Sequence, residues 1–386
     1  MHLRTTPALR LDAAAESGVH FEHVVTGERF EVEPLSASLL RLLAEPEEET
    51  LLTTEYGIPA DVIDELRGHG LLLAAADAIQ TLSAITRPAM PAFAGAPHAE
   101  PADVIFVGVP HDAMSITGPG AAAGPAAIRL ASQFPPYLRH PESGVAAGWF
   151  DPATGRSVLR GVTMSDGGDI RIEPGDDAHT VGRRVRAAVW ICRSLGALPV
   201  LLGGDHSLSW WALRGFERER VSVLQLDAHT DLAEAPASGL PSNASVAAAI
   251  ADLDHVECLV TAGLRGFLPA VQQPRNERHQ LVSIDAVRRL GADAVVELLP
   301  KELPVYVTLD VDALDPTLLP ATNVAVPGGF SFAEIVGLLE AAARRRRVCG
   351  LDVTELNGSR DTNLMSASVV AQLIRALLAA AFSDRS

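Results

Sequence analysis

Short apolar runs alternate with longer amphipathic stretches from about residue 102 to residue 386. Uninterrupted apolar runs are typical of strands buried on both faces, and apolar residues at helical spacing indicate helices that cover such a sheet. The pattern predicts strands at 104–109, 199–202, 221–226, 256–260, 281–283, 305–309 and 348–351, and helices at 181–195, 286–299 and 332–347. This alternation predicts an α/β domain with a mostly parallel sheet.

The first 85 residues carry a second pattern, in which short alternating segments come before helical ones. The predicted strands are 8–12, 21–32 and 71–73, and the predicted helices are 36–43 and 60–66. Thr26 and Gly27 interrupt the second of these strands, which predicts a hairpin. Strands, then helices, then a closing strand are the order of a small α+β domain of the winged-helix type.

A stretch rich in proline, alanine and glycine separates the two patterns at 86–101, and such a composition is typical of a linker. We therefore expect an accessory domain at 1–85, a linker at 86–101 and the larger α/β domain at 102–386. A chain of 386 residues is long enough for one α/β core and an extra module.

Composition and charge mainly exclude classes of partner and of cellular location. The net charge of −17 disfavours nucleic acid and anionic membranes as partners, because the field of the protein repels phosphate. The cysteines Cys192, Cys258 and Cys349 show no paired spacing and are expected to be buried thiols in a reducing compartment. We expect no signal peptide, and the longest apolar stretch, near 376–382, is too short to span a bilayer. The expected location is the cytoplasm.

Three clusters of aspartate and histidine each follow a predicted strand. They read GGDHS at 203–207, DAHTD at 227–231 and DVDALDP at 310–316. Because the carboxyl ends of parallel strands meet at one edge of the sheet, the clusters are predicted to converge there. A single cluster of this kind is more often a turn or a helix cap. Three of them at three strand ends are not explained by capping.

The residue types in these clusters point to a pair of metal ions. Several carboxylates at one site would repel each other at neutral pH, and divalent cations relieve that repulsion. Oxygen-rich donors with one imidazole per ion suit Mn²⁺ best, ahead of Fe²⁺, Co²⁺ and Zn²⁺. Two neighbouring ions can bridge a water molecule and deprotonate it at neutral pH. The sequence therefore predicts a two-metal hydrolytic centre.

The three clusters resemble the signature motifs of the ureohydrolase superfamily, which includes arginases, agmatinases, guanidinobutyrases and formiminoglutamases. Further similar segments are VGVPHD at 107–112, GPAAIR at 124–129, SDGGD at 165–169 and GLDVTELN at 350–357. The resemblance covers about residues 102–383. It implies an arginase-like, three-layer α/β/α fold with a parallel sheet of about eight strands.

The resemblance also implies a role for each residue of the clusters. The implied ligands of one manganese ion are His206, Asp227, Asp231 and Asp310, and those of the other are Asp227, His229, Asp310 and Asp312. Asp227 and Asp310 would then bridge the pair. Asp231 would also orient the bridging hydroxide and transfer a proton. Glu355 would pair with the guanidinium of the substrate through charge-assisted hydrogen bonds.

Two departures from the family pattern bear on the substrate. Many arginases and agmatinases carry a His-Gly pair after the second cluster, associated with proton transfer, whereas residues 238–245 read SGLPSNAS here. Ser242 and Asn243 stand at that place and are predicted to bind the substrate. The loop at 320–329 reads PATNVAVPGG, where arginases read closer to PATGTPVPGG. Free arginine is therefore not the expected substrate.

Three functions remain open at this point. The first is an amidinohydrolase that releases urea from a guanidino compound, small or peptide-borne. The second is a formiminoglutamase-type hydrolase that releases formamide, which the missing His-Gly pair favours. The third is a non-catalytic binding protein with the same fold, which is disfavoured because all six metal ligands and Glu355 are present.

The accessory domain bears on the choice among these functions. Its order of elements resembles that of small winged-helix domains that recognise leader peptides in systems that modify ribosomal peptides. If that resemblance holds, the substrate is an arginine within a precursor peptide, which becomes ornithine. The alternative is a module for oligomerisation or a lid. In either case we expect a homo-oligomer that binds neither nucleic acid nor membrane.

Overall fold

Regular secondary structure covers most of the described chain. The computed structural model of the protein describes residues 2–11, 19–267, 273–274 and 276–383. The strands are β1 (His2–Thr5), β2 (Leu9–Leu11), β3 (Val19–His23), β4 (Arg29–Val32), β5 (Glu47–Glu48), β6 (Leu72–Ala74), β7 (Thr86–Arg87), β8 (Val104–Gly108), β9 (Trp149–Asp151), β10 (Arg156–Val158), β11 (Met164–Ile170), β12 (Leu198–Leu202), β13 (Val221–Leu226), β14 (Val256–Leu264), β15 (His279–Ser283), β16 (Val305–Asp310) and β17 (Val348–Thr354). The helices are α1 (Pro34–Leu42), α2 (Glu49–Thr54), α3 (Ala60–Gly68), α4 (Gln80–Ser83), α5 (Gly124–Ala131), α6 (Ala178–Ser194), α7 (Leu208–Leu213), α8 (Val246–Ala251), α9 (Ile284–Leu290), α10 (Ala292–Val296), α11 (Phe332–Arg345) and α12 (Met365–Ala381).

A large sheet forms the middle layer of the protein. Within the described residues it has nine strands in the order β15-β14-β13-β16-β17-β12-β8-β11-β7. Only β7, at one edge, runs antiparallel to its neighbour, so the other eight strands are parallel. Apolar side chains of α5 and α9 to α12 cover one face, and those of α6 to α8 cover the other. The predicted arginase-like three-layer α/β/α fold is therefore confirmed.

The apolar runs located the central strands well, because these strands are buried along their length. All six residues of β13 and all six of β16 are buried.

Strand β11 was not predicted, because its Asp-Gly-Gly-Asp sequence is typical of a turn. Its Asp166 is buried and accepts hydrogen bonds from Nε and Nη2 of Arg129, at 2.8 and 2.9 Å. Arg129 also pairs with Asp169, at 2.5 Å. The 124–129 and 165–169 segments therefore meet as a buried ion pair that supports the sheet.

The helix predicted at 286–299 is two helices in the structure, α9 and α10. Gly291 separates them, with φ at 83°. That left-handed conformation is readily adopted by glycine and cannot continue an α-helix. The apolar spacing on both sides of Gly291 had concealed the break.

The segment at 86–101 is not a linker, which corrects the prediction. Thr86 and Arg87 form β7 and pair with β11 at the edge of the main sheet. Phe93 is fully buried, and its ring lies 4.1 Å from that of Phe106 in a stacked arrangement. The prolines and alanines of this segment thus shape a packed covering of the sheet rather than a free tether.

The accessory part, 1–85, contains two small sheets in its described residues. One has the order β2-β3-β4 with antiparallel pairing, and the other has the order β5-β1-β6. Their own apolar core includes Leu3, Leu40 and Leu52. The predicted closing strand is present as β6, but it pairs with β1 rather than forming a hairpin wing. The extra strand β1 and the short helix α2 were not predicted.

The accessory part is fastened to helix α6. Glu22 on β3 forms ion pairs with Arg10 and with Arg186 of α6, the latter at 3.0 Å. Glu217 accepts from the same two arginines. The indole nitrogen of Trp190 on α6 donates to the Leu9 carbonyl at 3.3 Å. These contacts form one largely buried network of ion pairs and a hydrogen bond between the accessory part and the α/β domain.

One helix is more apolar than the sequence analysis expected. Within Thr362–Ala381, an 18-residue window with a mean hydropathy of 1.7 is long and apolar enough to cross a membrane by length and composition, so the apolar stretch is longer than the one predicted near 376–382. Half of its most apolar window is buried inside the protein. That burial is against α5 and α11, as in the core helix of an α/β protein.

Candidate metal centre

The three acidic clusters meet at the carboxyl ends of four neighbouring strands, β13, β16, β17 and β12. Asp227 follows β13, Asp310 ends β16, and His206 follows β12 by a short turn. Glu355 directly follows β17. A cavity of about 200 Å³ opens over this edge, and Asp231, Asp310, Asp312, His229 and Glu355 line it. The structure therefore brings the three clusters together, as predicted.

The first group of possible metal ligands surrounds a buried imidazole nitrogen. One ligand atom from each of His206, Asp227 and Asp310 lies within 4.8 Å of the others. Nδ1 of His206 faces carboxylate oxygens of Asp231, Asp310 and Asp227 at 3.1, 3.3 and 3.4 Å. Among the described residues this nitrogen has no hydrogen-bond partner. Nε2 is 2.9 Å from Oγ1 of Thr308, which leaves Nδ1 free to bind a cation.

The second group shares a residue with the first. It consists of Asp227, His229 and Asp312, again with ligand atoms within 4.8 Å of one another. Nδ1 of His229 is 2.9 Å from Asp312 and 3.7 Å from Asp227. Asp227 thus belongs to both groups, as expected for a bridging ligand, whereas Asp310 is grouped only with the first.

The charges of this cluster do not balance without cations. Burial, with the charge of Asp227 adding to it, raises the pKa of Asp231 to about 7. Burial and the nearby Asp205 raise the pKa of Glu355 to about 8. Burial opposes protonation of His229, yet its contacts with Asp227 and Asp312 raise the pKa of that imidazole to about 11. Carboxylates that resist ionisation and imidazoles that attract protons form a donor set suited to divalent cations.

Each cluster also holds its own turn. Oδ1 of Asp227 accepts a hydrogen bond from the His229 amide at 2.6 Å, and Oδ1 of Asp310 accepts one from the Asp312 amide at 2.9 Å. Asp205 accepts one from Ser207 in the same way. These aspartates therefore stabilise turns, as a lone aspartate commonly does, and they also cluster at one site. In Asp227 and Asp310, Oδ1 shapes the loop and Oδ2 faces Nδ1 of His206.

Two of the acidic residues have an unusual backbone conformation. Asp231 and Glu355 are left-handed, with φ of 50° and 65°. Such a conformation costs roughly 1–3 kcal/mol for a residue other than glycine and tends to cluster at functional sites. Oε1 of Glu355 accepts from the His206 amide at 2.8 Å, and the Glu355 amide donates to the Gly204 carbonyl at 2.9 Å. These bonds hold the strained turn and link two of the strand ends.

The two predicted substrate-binding residues have different places in the structure. Asn243 lines the cavity, and its side chain accepts from the Ile116 amide at 2.9 Å and donates to Thr117 Oγ1 at 3.2 Å. It therefore fastens the loop that forms one wall. Ser242 does not line the cavity, which corrects its prediction. Its buried hydroxyl forms a capping box with Ser245 at the start of a short helical turn.

The rest of the cavity lining was only partly predicted. The 320–329 loop was singled out, and its Asn323 donates to the Gly118 carbonyl at 2.8 Å. Asn323 in turn accepts from Asn357 at 2.7 Å. Thr117 and Phe267 also line the cavity, and the sequence carries no signal that would have identified them.

Comparisons with known proteins agree with this geometry. Residues 102–380 match the arginase family. The chain is 32% identical over 280 residues to N(1)-aminopropylagmatine ureohydrolase of Thermus thermophilus, covering 70% of this chain and 89% of that protein. It is also 32% identical over 295 residues to formimidoylglutamase of Halobacterium salinarum, covering 72% and 88%. The solved structure of proclavaminate amidinohydrolase from Streptomyces clavuligerus superposes with a TM-score of 0.64 at 26% identity, covering 76% of this chain and 97% of that one.

Proposed function

The chain belongs to the arginase family, hydrolases that act on C–N bonds of linear amidines, and we propose that it cleaves a guanidino C–N bond to release urea. The observation that carries this proposal is the pairing of two features in one cavity. One is the buried Nδ1 of His206, without a hydrogen bond and surrounded by carboxylates. The other is the Glu355 carboxylate, which faces the same space and suits a planar cation with several N–H donors.

The proposed cofactor is a pair of Mn²⁺ ions in each subunit. Its proposed ligands are His206, Asp227, Asp231 and Asp310 for one ion, and Asp227, His229, Asp310 and Asp312 for the other. The donors are mostly carboxylate oxygens with one imidazole for each ion, a set that suits Mn²⁺ better than softer metals. When bound, the pair would lower the pKa of a water molecule so that it attacks at neutral pH.

Three side chains of the protein have proposed roles in substrate binding, proton transfer and shaping the cavity. Glu355 would hold the guanidinium so that its carbon lies over the acidic cluster. Asp231 would accept the proton of the attacking water and pass it to the departing amine, because its carboxylate lines the cavity and lies beside the first group of ligands. Asn243 would shape the cavity by fastening the 115–117 loop.

A formimino-type hydrolase that releases formamide is the second candidate. The 32% identity to formimidoylglutamase of Halobacterium salinarum supports it, as does the absence of a His-Gly pair at 238–245. To separate the two, Mn²⁺-loaded protein is incubated with a panel of guanidino and formimino compounds, and urea and formamide are assayed separately. Urea alone supports the amidinohydrolase, and formamide alone supports the second candidate. Neither product from any compound would contradict both.

We also propose that the accessory part selects a peptide-borne arginine, which would become ornithine. No proposed metal ligand lies in 1–85, and this part has a core of its own. A module that binds a peptide raises the effective concentration of a tethered side chain without altering the chemistry. Such a module must be held in a fixed place relative to the cavity, and the ion pairs on helix α6 provide that fixing.

Replacing Glu22 by alanine is therefore expected to loosen the accessory part while leaving the metal centre intact. The change leaves Arg10 and Arg186 buried without this counter-charge, which costs roughly 3 kcal/mol for a buried pair. Hydrogen exchange should then accelerate in residues 19–32, with two metal ions still bound. The ratio of activity on long arginine peptides to activity on a small guanidino compound should fall roughly tenfold.

Glu28→Ala is the matched control, because Glu28 lies in the same hairpin and its exposed side chain hydrogen-bonds only Thr26 among the described residues. It should change neither hydrogen exchange nor the activity ratio. A loosened Glu22→Ala protein with an unchanged ratio would mean that the accessory part does not select the substrate.

A further inference from the structure

A column of polar side chains crosses the buried interior beside the metal centre. Gln225 lies in β13, two residues before Asp227, and Thr261 is its neighbour in the parallel register on β14. His279 begins the next strand, β15. Gln225 and Thr261 are fully buried, and His279 is 4% exposed. Buried polar groups destabilise a protein unless they are hydrogen-bonded, so each of these needs partners.

The hydrogen bonds of this column run in one direction. Oγ1 of Thr261 donates to Oε1 of Gln225 at 3.3 Å, so its single proton is used there. Nε2 of His279, 2.8 Å away, must then be the donor to Thr261. Burial lowers the pKa of His279 to about 4, which keeps the imidazole neutral with one N–H. Its Nδ1 has no hydrogen-bond partner among the described residues, as expected for the nitrogen without a proton.

The column ends on two proposed metal ligands. Nε2 of Gln225 donates to Oδ2 of Asp227 at 2.7 Å and to Oδ2 of Asp231 at 3.3 Å. These are the same two oxygens that face Nδ1 of His206, at 3.4 and 3.1 Å. The amide of Gln225 therefore touches both carboxylates at the first group of ligands.

We infer that Gln225 is a positioning residue that holds Asp227 and Asp231 in the geometry needed for metal binding, and that Thr261 and His279 fix its orientation. This inference rests on the proposed metal centre. A side-chain amide presents a donor on one side and an acceptor on the other. If Gln225 turned over, its oxygen would face two carboxylates. The Thr261 hydroxyl opposes this, because its proton needs the oxygen of Gln225 as an acceptor.

The test measures Mn²⁺ affinity rather than turnover, by competition with a fluorescent chelator on the full-length protein. Gln225→Leu removes both donors at similar volume and is expected to weaken Mn²⁺ binding about 10–100-fold, the usual effect of losing a partner of a metal ligand. Thr261→Val keeps the shape but removes the hydroxyl, and roughly a tenfold loss is expected. The double variant should be no weaker than Gln225→Leu alone, since both changes act through the same amide.

Two further variants separate positioning from general packing. Thr261→Ser retains the hydroxyl and should restore wild-type affinity, although it removes a methyl group from the core. Gln280→Leu is the matched control, because Gln280 lies beside His279 on β15 but contacts Cys258 and Leu298 instead. It should leave the affinity unchanged. Circular dichroism of the metal-free proteins checks that each variant is folded.

The outcomes distinguish the inference from the proposal on which it rests. Wild-type protein that binds no Mn²⁺ tightly would overturn the metal centre and this inference with it. Wild-type protein that binds two ions, together with a Gln225→Leu affinity within twofold of it, would overturn the inference alone. Equal losses in Thr261→Ser and Thr261→Val would also overturn it, because only packing would then be at issue.

Discussion

Replacing Asp227 by alanine is expected to remove both metal ions and to reduce hydrolysis below detection. Asp227 is the one residue shared by the two ligand groups found in the described chain. Its two oxygens also hold the turn of the second cluster and the amide of Gln225, at 2.6 and 2.7 Å. Alanine removes all of these contacts together. Metal analysis after gel filtration, followed by the urea assay, measures the result.

The metal loss must be separated from a failure to fold. Burial opposes ionisation of Asp227, yet its contacts with His206 and His229 lower its pKa, so its removal should lower the Tm of the metal-free protein while leaving a cooperative unfolding transition in the presence of a chelator. Asp315→Ala is a matched control from the third cluster, because Asp315 binds Thr317 and the amides of 328–329 outside the cavity. That variant should keep both ions. Two tightly bound ions in Asp227→Ala would show that the ligand assignment is wrong.

The ligands of this centre could be predicted because the fold fixes where they go. A strand buried on both faces is recognisable from its apolar run alone, and β13 and β16 were located to within a residue. In a parallel sheet the residues after such strands must share an edge. The convergence of Asp227 and Asp310, 83 residues apart, thus follows from local sequence and one rule of topology.

What the sequence concealed depends on contacts between distant residues. The 86–101 segment has the composition of a linker, yet Phe93 stacks on Phe106 and two of its residues complete the sheet. Ser242 occupies the position of a family site residue, but its hydroxyl caps a local turn. Gln225 appears as one polar residue in an apolar strand until Thr261 is seen beside it. Composition and motif position carry no information about such partners.

Glu355→Gln is expected to keep both metal ions and to lose most of the rate. The amide oxygen of glutamine can still accept the hydrogen bond from the His206 amide, now 2.8 Å from Oε1, so the turn and the ligands should stay in place. A neutral amide cannot pair with a guanidinium as a carboxylate does. Loss of a charge-assisted bond in a buried pocket is worth roughly 2–4 kcal/mol. That corresponds to about a 30- to 1000-fold fall in kcat/KM.

This variant tests the charge of Glu355 rather than its shape. Comparing a cationic with a neutral ligand separates the effect of the charge from that of the shape. A guanidino substrate is cationic, whereas a ureido analogue of the same length is neutral and should bind wild type and Glu355→Gln almost equally as an inhibitor. Burial and the charge of Asp205 raise the pKa of Glu355 to about 8, and nearby cations oppose that rise. The bound metal ions and the guanidinium of the substrate would both favour the carboxylate, whereas glutamine carries no charge in either case. Equal losses for the cationic and the neutral ligand would indicate a distorted cavity, and wild-type kcat/KM would remove Glu355 from the mechanism.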